Sequence, residues 1–418
     1  MPPRFKAPRG TFDVLPSDSA ARARVYVAAA AAFERAGYGR IETPVFEDTE
    51  VFARGVGAST DIVQKEMFTF EDQGGRSLTL RPEATAAICR AYAEHGMHKL
   101  PQPVKLWCWG PFFRHERPQS GRYRQFHQVN LEAIGTDSPL ADAEAIIVLA
   151  DLLAELAVPG VKLRLGSLGS FETRTAYGDE LRAHLRSHES SLSDDVRSRI
   201  DSNPLRAFDS DHPGTREVME GAPTMLDRLD ADDAEHFEAV KRAVDDAGVE
   251  YVLDGTLVRG LDYYTRTVFE FTSDSLGAQS ALGGGGRYDG LVAELGGPET
   301  PAVGWAAGIE RILLALGEAD DAPALDAFIV APDGQRERAL SLATEARRAG
   351  ACVDLDLAGR SEKGQMKQAD RSGARRAVIL AEDGSAKLRD MTTGDERPLD
   401  LDDLAGEIER ERQKAGDE

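Results

Sequence analysis

The stretch that most constrains this chain runs from Val104 to Ile134, VKLWCWGPFFRHERPQSGRYRQFHQVNLEAI, and reads as two strands joined by a long polar turn. Strand side chains alternate between faces with period two. On that count Phe112 and Arg114 share a face on the first strand, as do Arg124, Phe126, Gln128, Asn130 and Glu132 on the second. One face of the hairpin therefore carries an arginine, amides and a carboxylate, a surface costly to bury without a polar ligand. The chemically useful residues elsewhere make sense as groups brought next to it. The turn, His115 to Arg122, is too long and too basic for a tight hairpin, whose two-residue form carries Asn-Gly or Asp-Gly. Its cations suit phosphates, although taken alone it reads more simply as a solvated loop.

At 418 residues, 41% of them hydrophobic, the chain exceeds the size at which single cores stop growing, so two or three domains are expected. A net charge of −22 opposes a nucleic-acid partner on average but leaves local basic patches open. The acidity is spread along the chain and arginine outnumbers lysine. Both traits fit a salt-rich, halophilic cytoplasm, where the Debye length shrinks to about 3 Å at 1 M; a GC-rich genome would also raise arginine. Cys89, Cys108 and Cys352 are isolated and odd in number, offering neither a disulfide framework nor zinc-ligand spacing. The start MPPRFKAPRG lacks the apolar stretch of a signal peptide, and no run approaches the roughly eighteen apolar residues of a membrane span. A cytoplasmic location with no membrane partner is the expectation.

In chain order, Ser17 or Asp18 caps a helix running to about Arg35. A strand from Ile41 to Phe46 contains Pro44, which confines it to an edge or a boundary such as a subunit interface. Met67 to Arg81 is a hairpin turning at Gly74-Gly75. Pro82-Glu83-Ala84-Thr85 then opens a helix to about Ala93, with Glu83 and Thr85 either capping it or holding an ammonium group. Beyond the central hairpin come a helix from Leu140 to about Leu156 and a strand from Val161 to Leu165. From about Gly169 to Glu250 the texture turns charged and helical, an inserted module in which nothing suggests catalysis.

Sheet-like signals resume from Thr256 to Phe271, where Arg259 and Asp262 stand in apolar surroundings and need a partner or a ligand. The run LGGGGRYDG from Leu282 lets backbone approach a ligand that Cβ atoms would obstruct. It lacks the Lys-Ser/Thr of a P-loop and the spacing of a dinucleotide fingerprint. Ala302 to Leu314 gives small residues and then an amphipathic helix bearing Arg311. After an acidic linker, Glu318 to Asp326, strands and helices alternate as in a small α/β domain. There Arg360, Lys363, Lys367, Arg371, Arg375 and Arg376 form a basic patch, suited to RNA or to a solvated helix face.

FRHERPQSGRYRQFHQ resembles the second motif of class II aminoacyl-tRNA synthetases, and the Pro44 strand and GWAAGIER resemble the first and third. LVRGLDYYTRTVFE and LGGGGRYDGL resemble the two histidine-site segments of the histidyl-tRNA synthetase family, and the resemblance covers the whole chain. It implies an α+β protein: an antiparallel-sheet catalytic core at 1–322 with a helical insertion at about 169–250, and a small α/β anticodon-binding domain at 326–418. The implied reaction joins ATP and histidine as histidyl-adenylate, then moves histidine to the 3′ end of tRNA-His. Arg114 would clamp the α-phosphate and Arg311 the γ-phosphate side of ATP, with Gly284 and Gly285 beside the nucleotide and Mg2+ on phosphate oxygens; a planar, always-charged guanidinium suits that task. No protein ligands for the metal are assigned.

By the same resemblance Arg259 would bridge the histidine carboxylate and the α-phosphate, Glu83, Thr85 and Gln128 would hold the α-amino group, and Glu132, Tyr264 and Tyr288 would read the imidazole. Satisfying both ring nitrogens can reject analogues roughly 10⁴-fold, so no editing domain is expected. Arg117, Gln119 and Arg122 would grip the acceptor end of tRNA, Lys363, Lys367 and Arg371 would lie near its anticodon arm, and a homodimer would form through the Pro44 region. One rival is a non-catalytic synthetase-like regulatory subunit of the first enzyme of histidine biosynthesis; Arg114, Arg259 and Arg311 together, with the C-terminal domain, oppose it. The other is a class II synthetase for a different amino acid, which LVRGLDYY opposes.

Overall fold

The Val104 to Ile134 stretch forms the hairpin its alternation predicts, and the computed structural model builds its larger sheet outward from it. The structure describes residues 5–57, 60–317 and 325–416. The chain divides into two compact units, one holding most residues up to 317 and the other those from 325 onward.

Up to residue 317 the elements are α1 (Pro16–Arg35), β1 (Gly39–Arg40), β2 (Phe46–Asp48), α2 (Thr49–Gly55), β3 (Phe68–Glu71), β4 (Ser77–Leu80), α3 (Thr85–Glu94), β5 (Val104–Phe113), β6 (Gln125–Ile134) and α4 (Pro139–Glu155). They continue with β7 (Val161–Ser167), α5 (Phe171–Ser187), α6 (Asp194–Arg199), α7 (Pro213–Glu220), α8 (Ala231–Asp246), β8 (Tyr251–Leu253), β9 (Thr265–Ser273), β10 (Ala281–Arg287), α9 (Leu291–Glu294), β11 (Ala302–Gly308) and α10 (Ile309–Leu316). Eight strands make one sheet in the order β1-β5-β6-β11-β10-β9-β7-β8, antiparallel except for the two edge pairs. Strands β2, β4 and β3 form a separate small sheet.

Period-two alternation sorts the side chains of the large sheet. Trp107, Val129, Leu131 and Trp305 face one way and pack with Phe33 of α1, Ile146 and Leu149 of α4, Val240 of α8 and Ile312 of α10. Burying each such side chain fully contributes about 2 kcal/mol. Cys108, Phe112 and Tyr288 face the other way and pack with Ile88 and Tyr92 of α3 and Leu291 and Val292 of α9. That second face is only partly covered, and the space left over it becomes the site.

Three expectations need correction. The strand read from Ile41 to Phe46 is split, because the chain leaves the large sheet after β1 and resumes strand pairing only at β2, in the small sheet. The Pro44 nitrogen has no hydrogen to give a ladder. The Thr256 to Phe271 stretch is strand only from Thr265, so Arg259 and Asp262 stand on a loop. The helical insert also divides: Tyr177 to Met225 has its own apolar cluster, whereas Phe237, Val240 and Val244 of α8 join the main core. The linker read from Glu318 to Asp326 lies outside the described residues, apart from Leu325 and Asp326.

From residue 325 the elements are β12 (Ala327–Val330), α11 (Arg336–Arg348), β13 (Val353–Leu355), α12 (Glu362–Arg371), β14 (Arg376–Leu380), β15 (Ala386–Asp390), β16 (Glu396–Pro398) and α13 (Leu404–Gly416). The sheet order is β13-β12-β14-β15-β16, parallel around β12 and antiparallel beyond β14. Helices α11 and α13 cover one face and α12 the other. Among the described residues no helix is long and apolar enough to cross a membrane.

Candidate active site

The floor of the site is a patch of sheet nearly without side chains. Register aligns Glu132 of β6 with Gly304 of β11 and Gly286 of β10, and in the next row Asn130 with Ala306, Gly284 and Glu270. A Cβ on Gly284 would stand 3.0 Å from the Arg259 guanidinium, and one on Gly304 would collide with the Glu132 carboxylate. Small residues thus open a cavity of about 530 Å³, roofed by the 258–264 loop and walled by β6, the 116–123 loop and the start of α10.

Cations line one end. Arg114, just past β5, donates from Nε to the Pro82 carbonyl at 2.9 Å and lies over the Phe126 ring at 5.4 Å. Arg311 donates to the carbonyls of Gly121 at 3.2 Å and Ala281 at 2.6 Å, and burial pushes its pKa down from the ordinary arginine value. Arg122 faces Glu116 across 3.5 Å. Arg259 is held by Glu270 at 2.6 Å, with its Nε buried and lacking a hydrogen-bond partner among the described residues.

Carboxyls and phenols gather at the other end. Both Glu83 oxygens accept from backbone N–H groups at the start of α3, Thr85 at 2.7 Å and Ala86 at 2.9 Å. Burial still raises the Glu83 pKa. Thr85 Oγ1 donates to Glu132 at 2.7 Å, and the Tyr288 hydroxyl donates to the other Glu132 oxygen. Full burial pushes Glu132 up to about 8, against the pull of those two hydrogen bonds. The rings of Tyr263 and Tyr264 stand 4.6 Å apart, and burial raises both phenols. Gln128 Oε1 between the two ends is buried without a hydrogen-bond partner among the described residues. Buried polar atoms of native proteins are nearly always satisfied, so an orphaned acceptor and an orphaned guanidinium hydrogen bordering one cavity mark a place for a polar ligand.

Of the residues singled out from sequence, Arg114, Arg259, Arg311, Glu83, Thr85, Gln128, Tyr264, Gly284 and Arg122 line this cavity. Glu132 and Tyr288 lie one layer behind it, fully buried. Gly285 does not belong to it: successive strand residues face opposite ways, and a Cβ there would strike Trp305 on the helix-covered side. Arg117 and Gln119 are exposed on the loop, outside the lining. Lys363, Lys367 and Arg371 are exposed along one stripe of α12, in the second unit. Sequence reasoning missed Glu116, Glu270 and Asp209 as lining residues. Parity within VFEF could have placed Glu270 on the floor once the β9 to β10 register was known. Asp209 brings the insert, in which the sequence suggested no catalysis, to the edge of the cavity, with Arg206 3.2 Å away.

Comparison with known proteins agrees with this geometry. A family model described as histidyl-tRNA synthetase matches residues 10–312, and one described as an anticodon-binding domain matches residues 326–411. The chain is 49% identical to a histidine–tRNA ligase of Rubrobacter xylanophilus over 94% of this chain and 96% of that one. It is 47% identical to the Saccharopolyspora erythraea histidine–tRNA ligase over 97% and 98%. The apo histidyl-tRNA synthetase of S. aureus superposes with a TM-score of 0.81 at 37% identity, covering 97% of this chain and all of that one. A Bacillus halodurans structure described as an ATP phosphoribosyltransferase regulatory subunit/histidyl-tRNA synthetase, 24% identical with a TM-score of 0.68 over 91% of this chain and 99% of that one, shares the fold. Sheet, cavity and similarity along nearly the whole length agree: the chain belongs to the histidyl-tRNA synthetase family.

Proposed function

We propose that the cavity activates histidine with ATP and passes the histidyl group to the 3′ end of tRNA-His. The observation that carries this reading is its polarity. Buried carboxyls and phenols occupy one end, Arg114, Arg122 and Arg311 the other, and Arg259 stands over the glycine floor between them. An amino acid with an ammonium group and a basic ring suits the first end, and a triphosphate suits the second.

Histidine enters with its ammonium near Glu83, Thr85 and Gln128. Its ring lies against Tyr264, with Glu132 and Tyr288 acting from behind through Thr85 and the tyrosine cluster. Its carboxylate and the α-phosphate meet at Arg259, while Arg114 holds the α-phosphate from the β5 side and Arg311 takes the γ-phosphate. The carboxylate oxygen attacks phosphorus and pyrophosphate leaves, so the chain's part is positioning and stabilisation of charge. The Glu270 contact aims Arg259 before substrate arrives.

Mg2+ fits this setting as a companion of ATP. Glu116, Glu270 and Asp209 offer the hard oxygen donors it takes, yet each is engaged by an arginine. Among the described residues no group of three His, Cys, Asp or Glu side chains is poised to hold a metal. Magnesium is commonly held through substrate phosphates and one or two carboxylates, and it would supply charge neutralisation there.

The same reading places the tRNA acceptor end near Arg117, Gln119 and Arg122, and the anticodon arm on Lys363, Lys367 and Arg371. It makes residues 1–322 catalytic, with the insertion at about 169–250, and 326–418 the anticodon-binding domain. It adds a homodimer through the Pro44 region, a cytoplasmic location and a halophilic source suggested by the charge of −22. The test is ATP–pyrophosphate exchange without tRNA in high potassium chloride, offering each amino acid separately. Exchange with histidine alone is expected. Exchange with another amino acid overturns the pocket reading, and none at all from folded protein points to a regulatory paralogue.

A further inference from the structure

The roof of the cavity is held from the insert. Helix α5 begins at Phe171, and its Arg174 reaches back so that one guanidinium nitrogen, Nη1, donates to the backbone carbonyls of Asp262 and Tyr264, each at 2.8 Å. Two further groups of the insert touch the same loop. Asn203 Nδ2 donates to the Asp262 carboxylate at 3.1 Å, and Arg206 Nη2 donates to the Gly260 carbonyl at 3.3 Å.

The start of α5 is itself anchored to the core. Asp233 of α8, almost fully buried, accepts from Ser170 N at 2.7 Å and Thr173 Oγ1 at 2.8 Å through one oxygen. Its other oxygen takes Arg266 Nε of β9 at 3.1 Å. Arg266 adopts a left-handed φ of 47° and exchanges backbone hydrogen bonds with Leu168 and Gly169, so the loop's exit from the roof is pinned as well. The path runs from β9 through Asp233 and the α5 start to Arg174, and back to the loop that carries Tyr264. Burial lowers the Arg174 pKa, against the opposing pull of the nearby Asp262 carboxylate. A cation kept there for surface solubility would gain nothing from facing inward.

We propose that Arg174 is a positioning residue for histidine activation: it fixes the Asp262 to Tyr264 backbone, and through it the Tyr264 ring, so that the insert sets the shape of the histidine end. The ATP end is built from β5, the 116–123 loop and α10, none of which Arg174 touches by hydrogen bond among the described residues. Its effect therefore separates the two substrates. This rests on the reading of the cavity as a histidine-activating site.

The experiment measures ATP–pyrophosphate exchange without tRNA for wild type, Arg174→Ala and Arg174→Lys, varying histidine and ATP separately, with thermal melts on each. Arg174→Ala is expected to raise the KM for histidine by about tenfold or more, equivalent to about 1.4 kcal/mol, with the KM for ATP within about twofold. Lysine, a point charge able to meet a carbonyl, restores part of the loss. Equal changes in both KM values, or none, from folded variants overturn the proposal, and Arg174→Lys decides if the alanine variant does not fold. Wild-type protein that ignores histidine defeats the underlying function instead.

Discussion

Arg259 and Glu132 make opposite demands on their surroundings, and each yields a prediction. Arg259 has a carboxylate partner, Glu270, yet keeps a buried Nε unsatisfied, so its function is completed by ligand. Arg259→Ala is expected to lower the exchange rate by about 10²–10³-fold, with histidine affinity partly retained in equilibrium binding; near-normal exchange removes it from the chemistry. Glu132 is held near 8 by burial. Between the ordinary carboxylate range and about 8, the native ligand-free protein keeps a proton that the unfolded chain has released. Stability from this group is therefore complete at low pH and is lost as pH rises through that window. Thermal midpoints of wild type should fall from about pH 5 to about pH 8, and Glu132→Gln should flatten the slope and weaken histidine-dependent exchange. Parallel slopes for the two proteins refute the assignment. The alternation of Phe126, Gln128, Asn130 and Glu132 was readable from sequence because parity survives any twist of a strand. The depth of Glu132 was not, since it depends on α3 and Tyr288, which are distant in the chain. The Gly285 error has the same root: four glycines in a row carry no parity, and the register against Trp305 decides which of them face the ligand.

Helix α12 and the loops show how far pattern reaches. Gln365 and Ala369 bury one side of α12, and Lys363, Lys367 and Arg371, spaced by four, line the opposite side. The stripe was legible because helical spacing places i, i+4 and i+8 together. Replacing all three with alanine should weaken tRNA-His binding and reduce the slope of log affinity against log salt by roughly 2 to 3, at about 0.7–0.9 per lost phosphate contact. Exchange without tRNA should not change; an unaltered salt slope would leave the stripe as solvated surface. Loops were less legible. The 258–264 roof falls in a stretch that reads as strand, but its backbone is claimed by Arg174 and Arg206 of the insert and its Asp262 carboxylate by Asn203. No local pattern announces hydrogen bonds across tens of residues. The split at Pro44 was half visible, the proline marking a break without saying which sheet each side would join.

Charge and topology belong to the protein as a whole. With a net charge of −22, self-repulsion opposes the compact state and weakens as salt screens it. Thermal midpoint and exchange rate should both rise as potassium chloride goes from about 0.1 M, with a Debye length of about 10 Å, to about 1 M, with about 3 Å. A flat or falling response would reduce the composition to codon usage. The order β1-β5-β6-β11-β10-β9-β7-β8 has a different consequence. Strands β10 and β11, which carry the glycine floor, are the last two of this sheet to leave the ribosome yet lie between β6 and β9. Until residue 308 has emerged, the growing sheet exists as two halves, each with an unpaired edge. At roughly 5–20 residues per second, the first half waits many seconds for the strands that join it to the second. The nascent chain thus acquires its substrate chamber in a single late closure, and a stalled or truncated product lacking β11 would present open edges to other chains.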